Sequence, residues 1–284
     1  EGTNTTASGS ASHAEGNVTI ASGQYSHAEG TNTTASGSAS HAEGNATTAS
    51  AQYSHAEGSG TKASNSGAHA EGIRTTASGI RSHAEGISTI ASGVQSHAEG
   101  NGTTASSDSS HAEGINTSAS GGYSHAEGFQ TTASGSGSHA QNVHTIAQGM
   151  YQTVIGKYNE AQGTPTSSVS SDYAFVIGNG TSDTNRSNAF AVKWDGTIVF
   201  ADGTEQSTGS SSVTILSQTL AASATSVTFT NDLIGTDVLV EAFASTPGFN
   251  YLTMEQTSTT SITITYPEHT SAVTIYLVLT SVTV

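Results

Sequence analysis

The chain has 284 residues, of which 10% are charged, and its net charge of −16 comes from 22 acidic and 6 basic side chains. This acid excess excludes the basic footprint that nucleic-acid binding needs and disfavours an anionic membrane surface as a partner. The absence of cysteine excludes disulfides and thiol chemistry, and no apolar run reaches the roughly 18 residues that predict a membrane-spanning helix.

A motif of 14 residues repeats through the first half of the chain without insertions. His-Ala-Glu-Gly begins every 14 residues from His13 to His125, and a degenerate copy, His-Ala-Gln-Asn, begins at His139. Because Glu1 and Gly2 match the end of this motif, we expect that the chain starts inside a repeat and that further repeats precede it. Such uninterrupted self-similarity indicates a repeat architecture.

Within each repeat lies a shorter period of seven, with the pattern Ser/Thr-x-Ala-x-Gly-x-x. Alanine occupies every seventh position from Ala7 to Ala147. Residues i, i+2 and i+4 of a strand share one face, so this pattern gives a face of small side chains only. A coiled coil would need large apolar residues at two heptad positions. The pattern therefore predicts an all-β parallel roll over residues 1–163, with two five-residue strands and two turns per coil, and with Ser and Thr hydroxyls bonded to each other or to the turns.

The half-repeat from Glu1 to about Gly163 resembles the head repeat of YadA-type trimeric adhesins. That resemblance implies a homotrimer of left-handed parallel β-rolls. The family often carries an aliphatic pair around the alanine, whereas this chain has His and Glu. The departure predicts a polar contact between chains instead of an apolar one.

The outward-facing His and Glu columns are the candidate functional residues, and three interpretations are open. They form a solvated stripe, a trimer interface, or an ion site made of stacked imidazoles suited to zinc or nickel. Ten equivalent copies offer no singular pocket, so we expect no enzyme activity. We expect no cofactor other than an ion bound by the stacked histidines. The candidates for the interface or ion site are His13, His27, His41, His55, His69, His83, His97, His111, His125 and His139, with Glu15, Glu29, Glu43, Glu57, Glu71, Glu85, Glu99, Glu113 and Glu127.

A column of threonines on the other strand raises the alternative of an ice-binding solenoid. Lys62 and three isoleucines interrupt that column, among them Ile20 and Ile90. We therefore interpret it as ordinary surface.

Residues 164–209 predict a β-structured neck. Tyr173–Gly180 is typical of a strand and turn, and Asp195-Gly196 predicts a hairpin. Phe190–Gly209 resembles short motifs of phage tail-fibre and collar-type proteins, and Asp202–Gln206 carries most of that similarity.

Residues 210–284 predict an antiparallel β-sandwich, with alternating apolar residues in several segments. Phe243, Phe249, Tyr251 and Tyr266 are candidates for receptor binding, and core or trimer contacts are the alternative role. The predicted strands are 213–220, 226–230, 237–244, 251–256, 261–266 and 272–284.

These patterns together predict an extracellular homotrimeric fibre with a β-roll shaft, a neck and a distal sandwich. We expect a phage tail fibre on the virion, attached to upstream tail or baseplate components, that binds a bacterial surface glycan or protein. A bacterial trimeric adhesin, or an extracellular structural or ice-binding solenoid, is the alternative. Nucleic acid and membrane insertion are not expected.

Overall fold

A computed structural model describes residues 2–207 and, beyond them, the strands 213–220, 226–230, 238–244, 253–258, 261–265 and 273–281. The chain divides into two compact units, Glu1–Glu205 and Gln206–Val284. The described residues are all-β and contain no helix that could cross a membrane.

The first unit is a parallel β-solenoid of about eleven coils. One strand per coil belongs to a continuous long-strand sheet, and in-register pairing sets each residue beside its equivalent in the next coil, as in His83 with His97. Parallel in-register pairing turns every repeat position into a column along the roll. The strands of this sheet within the roll are Gly2–Thr3, His13–Asn17, His27–Thr31, His41–Asn45, His55–Ser59, His69–Ile73, His83–Ile87, His97–Asn101, His111–Ile115, His125–Phe129, His139–Val143 and Thr153–Lys157.

The other half of each coil forms a short-strand sheet, in which every strand has only two residues. The prediction of two equal five-residue strands was therefore wrong for this half. In the short half, the backbone turns immediately after the alanine, where successive amides such as Ser22 N and Gly23 N both donate to Ala35 O. The strands are Thr6–Ala7, Ile20–Ala21, Thr34–Ala35, Thr48–Ala49, Lys62–Ala63, Thr76–Ala77, Ile90–Ala91, Thr104–Ala105, Ser118–Ala119, Thr132–Ala133 and Ile146–Ala147.

The core between the two sheets consists of alanine with Ser and Thr. The alanines from Ala21 to Ala147 in this column are buried. Ser hydroxyls donate to turn carbonyls, as Ser26 does to Gly23 O at 2.7 Å, which confirms the expected role of serine. Buried Thr hydroxyls such as those of Thr89 and Thr103 have no hydrogen-bond partner among the described residues, so that part of the prediction was wrong.

Glycine at the end of each long strand allows the coils to approach closely. A Cβ atom placed on Gly86 would lie 2.2 Å from the carbonyl oxygen of Gly100, and the φ angle of Gly86 is +104°. Side chains rarely adopt that conformation, so both the backbone angle and the coil spacing require glycine.

The roll is closed by strands with larger side chains. Thr153–Lys157 pairs in parallel with Tyr173–Asn179, which pairs antiparallel with Asn188–Lys193. Ile198–Phe200 completes a hairpin around Asp195-Gly196, as predicted, and the two-residue strand Glu205–Gln206 follows. Val154 and Val176 replace alanine in the buried column, so the core widens at this end.

The second unit contains two three-stranded antiparallel sheets. One has the strand order Val213–Leu220, Val273–Ser281, Val238–Ala244, and the other has the order Ser226–Thr230, Ser261–Thr265, Thr253–Ser258. The structure thus has a strand within or overlapping each of the six predicted ranges. A sandwich arrangement of the two sheets stays a prediction.

Candidate functional site: the His–Glu face of the long-strand sheet

The His column forms a continuous stack of imidazole rings on the outer face of the long-strand sheet. From His27 to His139, adjacent ring centroids are 4.7–4.8 Å apart and the planes differ by 2° to 13°. Only the first pair, His13 and His27, meets edge to face, with an interplanar angle of 85°. The period of 14 and the in-register sheet therefore bring all ten predicted histidines together.

The Glu column runs beside this stack, two residues further along each strand. From His13 to His83, each Nε2 atom lies 3.3–3.7 Å from the Glu carboxylate of its own coil. From His111 to His139, the nearest carboxylate belongs to the preceding coil, at 3.4–3.6 Å. The change in partner occurs around His97.

A third outward column explains how this environment changes along the roll. It is polar in the early coils, as at Asn17 and Asn45, and mostly apolar from Ile73 to Val143. The exposed fraction of the neighbouring Glu side chain falls from 58% at Glu15 to 24% at Glu127. The bulkier third column thus partly covers the carboxylates in the later coils.

An open groove lies along these later coils. It is lined by the Glu column from Glu71 to Glu127 with Gln141, and by the adjacent glycines with Asn142. Its carboxylates follow one another at the coil spacing, so the groove is strongly acidic. The sequence predicted the Glu and Gly columns that line this groove but not the groove itself.

The family model of the YadA head domain repeat matches residues 1–26, 28–50, 70–92 and 84–106. The matched residues supply both the small inward columns and the His–Glu face. The matched segments are YadA-type head repeats, and the same period of 14 continues through the rest of the roll. A comparison with curated proteins found no match.

In this YadA-type roll, burial disfavours protonation of four imidazoles of the stack. Burial lowers the pKa of His55, His69, His83 and His125, and the charge of a neighbouring imidazole lowers it further. The adjacent carboxylates act in the opposite direction but do not outweigh burial. These imidazoles are therefore neutral at neutral pH, so their contacts with Glu are polar contacts and not ion pairs.

Most Nε2 atoms of the stack are buried but have no hydrogen-bond partner among the residues that the structure describes. This holds for the eight histidines from His41 to His139. Their contacts with Glu are too long or too poorly aligned for a hydrogen bond. A buried polar atom without a partner requires an explanation, and these atoms reach a group of another molecule only after the ring or the neighbouring carboxylate rotates.

A metal ion is a poor fit to one chain of these repeats. Among the described residues, four His-Glu-His groups have ligand atoms within 4.8 Å of one another, for example His69, Glu71 and His83. A ring nitrogen binds zinc at about 2.0–2.1 Å and in the plane of its own ring. Parallel rings in adjacent coils aim their lone pairs side by side, so two rings of one chain converge on a single ion only after rotating.

The predicted receptor-binding residues are not tested by the structure. Phe249, Tyr251 and Tyr266 lie outside the described residues. Phe243 is placed in the backbone of the strand Val238–Ala244, and its side chain is outside the described part. These four positions stay predictions.

One group of exposed residues was missed by sequence reasoning. Tyr25, Tyr53, Tyr123 and Tyr151 lie in turns that precede the long strands, and all four are exposed. The turn pairs vary from coil to coil, which made them resemble unconstrained surface. Writing the second residue of each turn as a column would have shown that four of its members are tyrosines.

Proposed function

We propose that the protein is a homotrimeric extracellular attachment fibre, in which the outer face of the long-strand sheet joins the three chains. The observation that carries this proposal is the constancy of one outer face in a run of YadA-type repeats. On this face, the first outer position is His in ten coils and the second is Glu in nine. The outer position of the short strands varies between Thr, Ile, Lys and Ser. Each sheet buries one alanine per coil, so the core does not require this constancy.

The thin core supports assembly of several chains. Burial stabilises by about 25 cal/mol per Å² of apolar surface, and alanine offers little surface to bury. Exposed side chains of the third column, such as Ile73, Ile115 and Phe129, would gain burial against a neighbouring chain. Packing of three rolls side by side would therefore stabilise coils that are marginal alone.

The polar groups of this face also favour association with further copies of the same chain. Carboxylates stacked at the coil spacing repel one another, and the buried Nε2 atoms lack hydrogen-bond partners in the described part of the chain. In a trimer about an axis parallel to the roll, equivalent layers meet at the same height. Imidazole and carboxylate groups of different chains could then form hydrogen bonds at every coil, as the sequence departure from the family's aliphatic pair predicted.

For the biological setting, we propose a phage tail fibre located on the virion tail. The resemblance of Phe190–Gly209 to tail-fibre motifs supports this proposal, and the hairpin within it is formed as expected. Upstream tail components would hold the fibre, and the distal unit would bind a glycan or protein of the bacterial surface. Three copies would raise a weak affinity through effective concentration. Binding, and not catalysis, is the proposed activity.

Site-specific crosslinking tests the proposed interface, because the chain has no native cysteine. Glu99→Cys lies on the proposed interface, and Ser106→Cys is a matched control on the outer surface of the short half of the same coil. With a short bismaleimide, we expect crosslinked dimers from the first variant only, and sedimentation should give three times the chain mass. A monomeric mass, or equal crosslinking of both variants, would contradict the proposal.

A bacterial surface adhesin is the second candidate, because the matching family model describes the YadA head domain. Antibody labelling of purified virions separates the two settings. Label on the tail supports the phage fibre, whereas label confined to the bacterial surface supports the adhesin.

A further inference from the structure

One edge of the roll is formed by the two-residue turns that precede the long strands. In four coils, the second residue of this turn is an exposed tyrosine. Tyr25 and Tyr53 are 62% and 63% exposed, and Tyr123 and Tyr151 are 73% and 55% exposed. No charged residue occupies either turn position in the first four coils of this edge, which read Ser10-Ala11, Gln24-Tyr25, Ser38-Ala39 and Gln52-Tyr53.

The backbone does not favour tyrosine at this position. Tyr25 and Tyr53 have φ angles of 58° and 57°, in the left-handed region that favours glycine or asparagine. The opposite edge has an equivalent left-handed position in each coil. From residue 4 to residue 130, that position carries residues such as Asn4, Asn32 and Asn116 and is never Tyr, Phe or Trp. The tyrosines are thus large exposed rings held where the fold alone would select a small or amide side chain.

The spacing of the tyrosines is fixed by the roll. Main-chain bonds link each turn to the preceding one, with Ala39 N donating to Gln24 O at 2.7 Å and Tyr53 N to Ser38 O at 2.9 Å. The spacing of one coil, read from the imidazole stack, is 4.7–4.8 Å. Tyr25 and Tyr53 are two coils apart, which places equivalent atoms about 9.5 Å apart along the edge.

Small residues alternate with the tyrosines along this edge. Ala11 precedes Tyr25 by one coil, and Ala39 precedes Tyr53. At the later pair, a Cβ atom on Gly137 would lie 2.7 Å from Cδ1 of Tyr151, so that ring extends over the preceding coil where the glycine leaves room. The alternation leaves space for a ring at every second coil.

An exposed glutamine accompanies each tyrosine of the first pair. Gln24 and Gln52 occupy the first residue of the same turns, so each ring has an amide beside it in the chain. An aromatic ring packs against the C–H face of a sugar, and a primary amide both donates to and accepts from hydroxyl groups. The absence of charge in these turns favours a neutral ligand over an anionic one.

We propose that Tyr25 and Tyr53, with Gln24 and Gln52, bind a neutral β-1,4-linked glycan that lies along this edge of the roll. Successive sugars of such a chain alternate in orientation, so the same ring face recurs at every second sugar, a repeat that matches two coils. Each tyrosine receives one such face, and the amides bind the hydroxyl groups between them. The main-chain bonds between successive coils fix the spacing of the two tyrosines at this repeat before the ligand arrives.

Tyr123 and Tyr151, with Gly137 between them, repeat the spacing of the rings further along the same edge, but Gly122 and Met150 stand where the first pair has its glutamines, so the complete site is the one at Tyr25 and Tyr53. The proposal goes beyond the attachment function, because it assigns glycan binding to the shaft and does not require a trimer. Three chains would multiply the weak affinity of each pair through effective concentration.

Calorimetric titration of the full chain with cellohexaose and chitohexaose tests the proposal, and α-1,4-linked maltohexaose serves as the ligand control. The variant Tyr25→Asn/Tyr53→Asn removes both rings and introduces a residue that tolerates the left-handed backbone. We expect at least one β-1,4-linked glycan to bind, maltohexaose to bind more weakly, and the double variant to lose about tenfold in affinity.

The variant Val18→Ala/Asn32→Ala, on the opposite edge of the early coils, is the matched control and should bind like the native chain. Gln24→Ala/Gln52→Ala should weaken binding while leaving the rings in place. The proposal is overturned if neither β-1,4-linked glycan binds or if Tyr25→Asn/Tyr53→Asn binds as well as the native chain. It is also overturned if that variant lowers the sedimentation mass, because the edge would then contact a second copy of the chain.

Discussion

The long-strand and short-strand sheets of the roll bury the same type of residue but present different outer faces. In each coil both sheets contribute an inward alanine, as Ala98 and Ala105 do, and both alanines are fully buried. The outer face of the long strands repeats His and Glu, whereas the outer position of the short strands changes between coils, as from Lys62 to Thr76. The inward columns therefore specify the fold, and the constant outer columns require a separate explanation, which the proposed interface provides.

The glycine columns of the two halves differ in the same way. In the short half, Ala51, Asn65 and Ser107 replace glycine. In the long half, the one replacement from Gly2 to Gly156 is Asn142, with a φ angle of +84°, and the sheet pairing is interrupted beside it. The left-handed angle restricts the long half, whereas the short half accommodates a side chain by a local shift.

The largest effect is expected from Gly86→Ala in the long half. Its added Cβ atom would meet Gly100 O, and its φ angle of +104° is strained for alanine. We expect a loss of about 3 kcal/mol or more in the free energy of unfolding, measured by denaturant titration. Gly79→Ala in the short half should cost clearly less, although its Cβ atom would lie 1.8 Å from Gly93 O.

Gly122→Ala is the control for the alanine substitution itself. Nothing lies within 4 Å of its added Cβ atom, so we expect a change within about 0.5 kcal/mol. If Gly79→Ala destabilises the protein as much as Gly86→Ala, coil spacing alone governs both halves and the role of the left-handed angle is refuted.

A smaller effect is expected from His97→Ala on the constant face. His97 stacks on His83 and His111 at 4.8 Å on each side, so the variant loses two ring contacts. We expect a loss of about 1–2 kcal/mol in unfolding free energy, with a larger share of monomer in sedimentation. Thr104→Ala, on the outer face of the short strand, is the matched variant and should change neither quantity. Equal behaviour of the two variants would remove the distinction between the faces.

The sequence predicted the columns because the periodic pattern and the sheet register have the same repeat. The alanines, the stacked histidines and, to within about two residues, most strand boundaries of the second unit could all be inferred from the sequence. The unequal halves were missed, since the sharp turn after alanines such as Ala21 follows from backbone bonds that the pattern Thr-Ala-Ser-Gly does not encode. The switch in His–Glu pairing was also missed, because the repeat places a carboxylate in both the same and the preceding coil, and side-chain conformation decides which of the two an imidazole such as His83 or His111 contacts.

The smallest effect is expected from acidification, and it concerns only the constant face. The pKa values of His55, His69, His83 and His125 are lowered from 6.5, mainly by burial. In the unfolded chain these imidazoles bind protons more readily, so their contribution is present above about pH 6.5 and is lost as the pH falls through the range below it. The melting temperature should therefore fall by at least about 2 °C between about pH 7.5 and pH 5.5.

Replacement of the four histidines by glutamine separates the imidazoles from the carboxylates that surround them. Glutamine keeps a polar side chain but does not titrate in this range, so the variant should show a flatter dependence of melting temperature on pH. The carboxylates of the own and neighbouring coils, such as Glu57, Glu71 and Glu85, face these rings and oppose the shift. A melting temperature that rises on acidification would show that neutralisation of the Glu column outweighs burial of the imidazoles, and that the acidic groove dominates the energetics of this face.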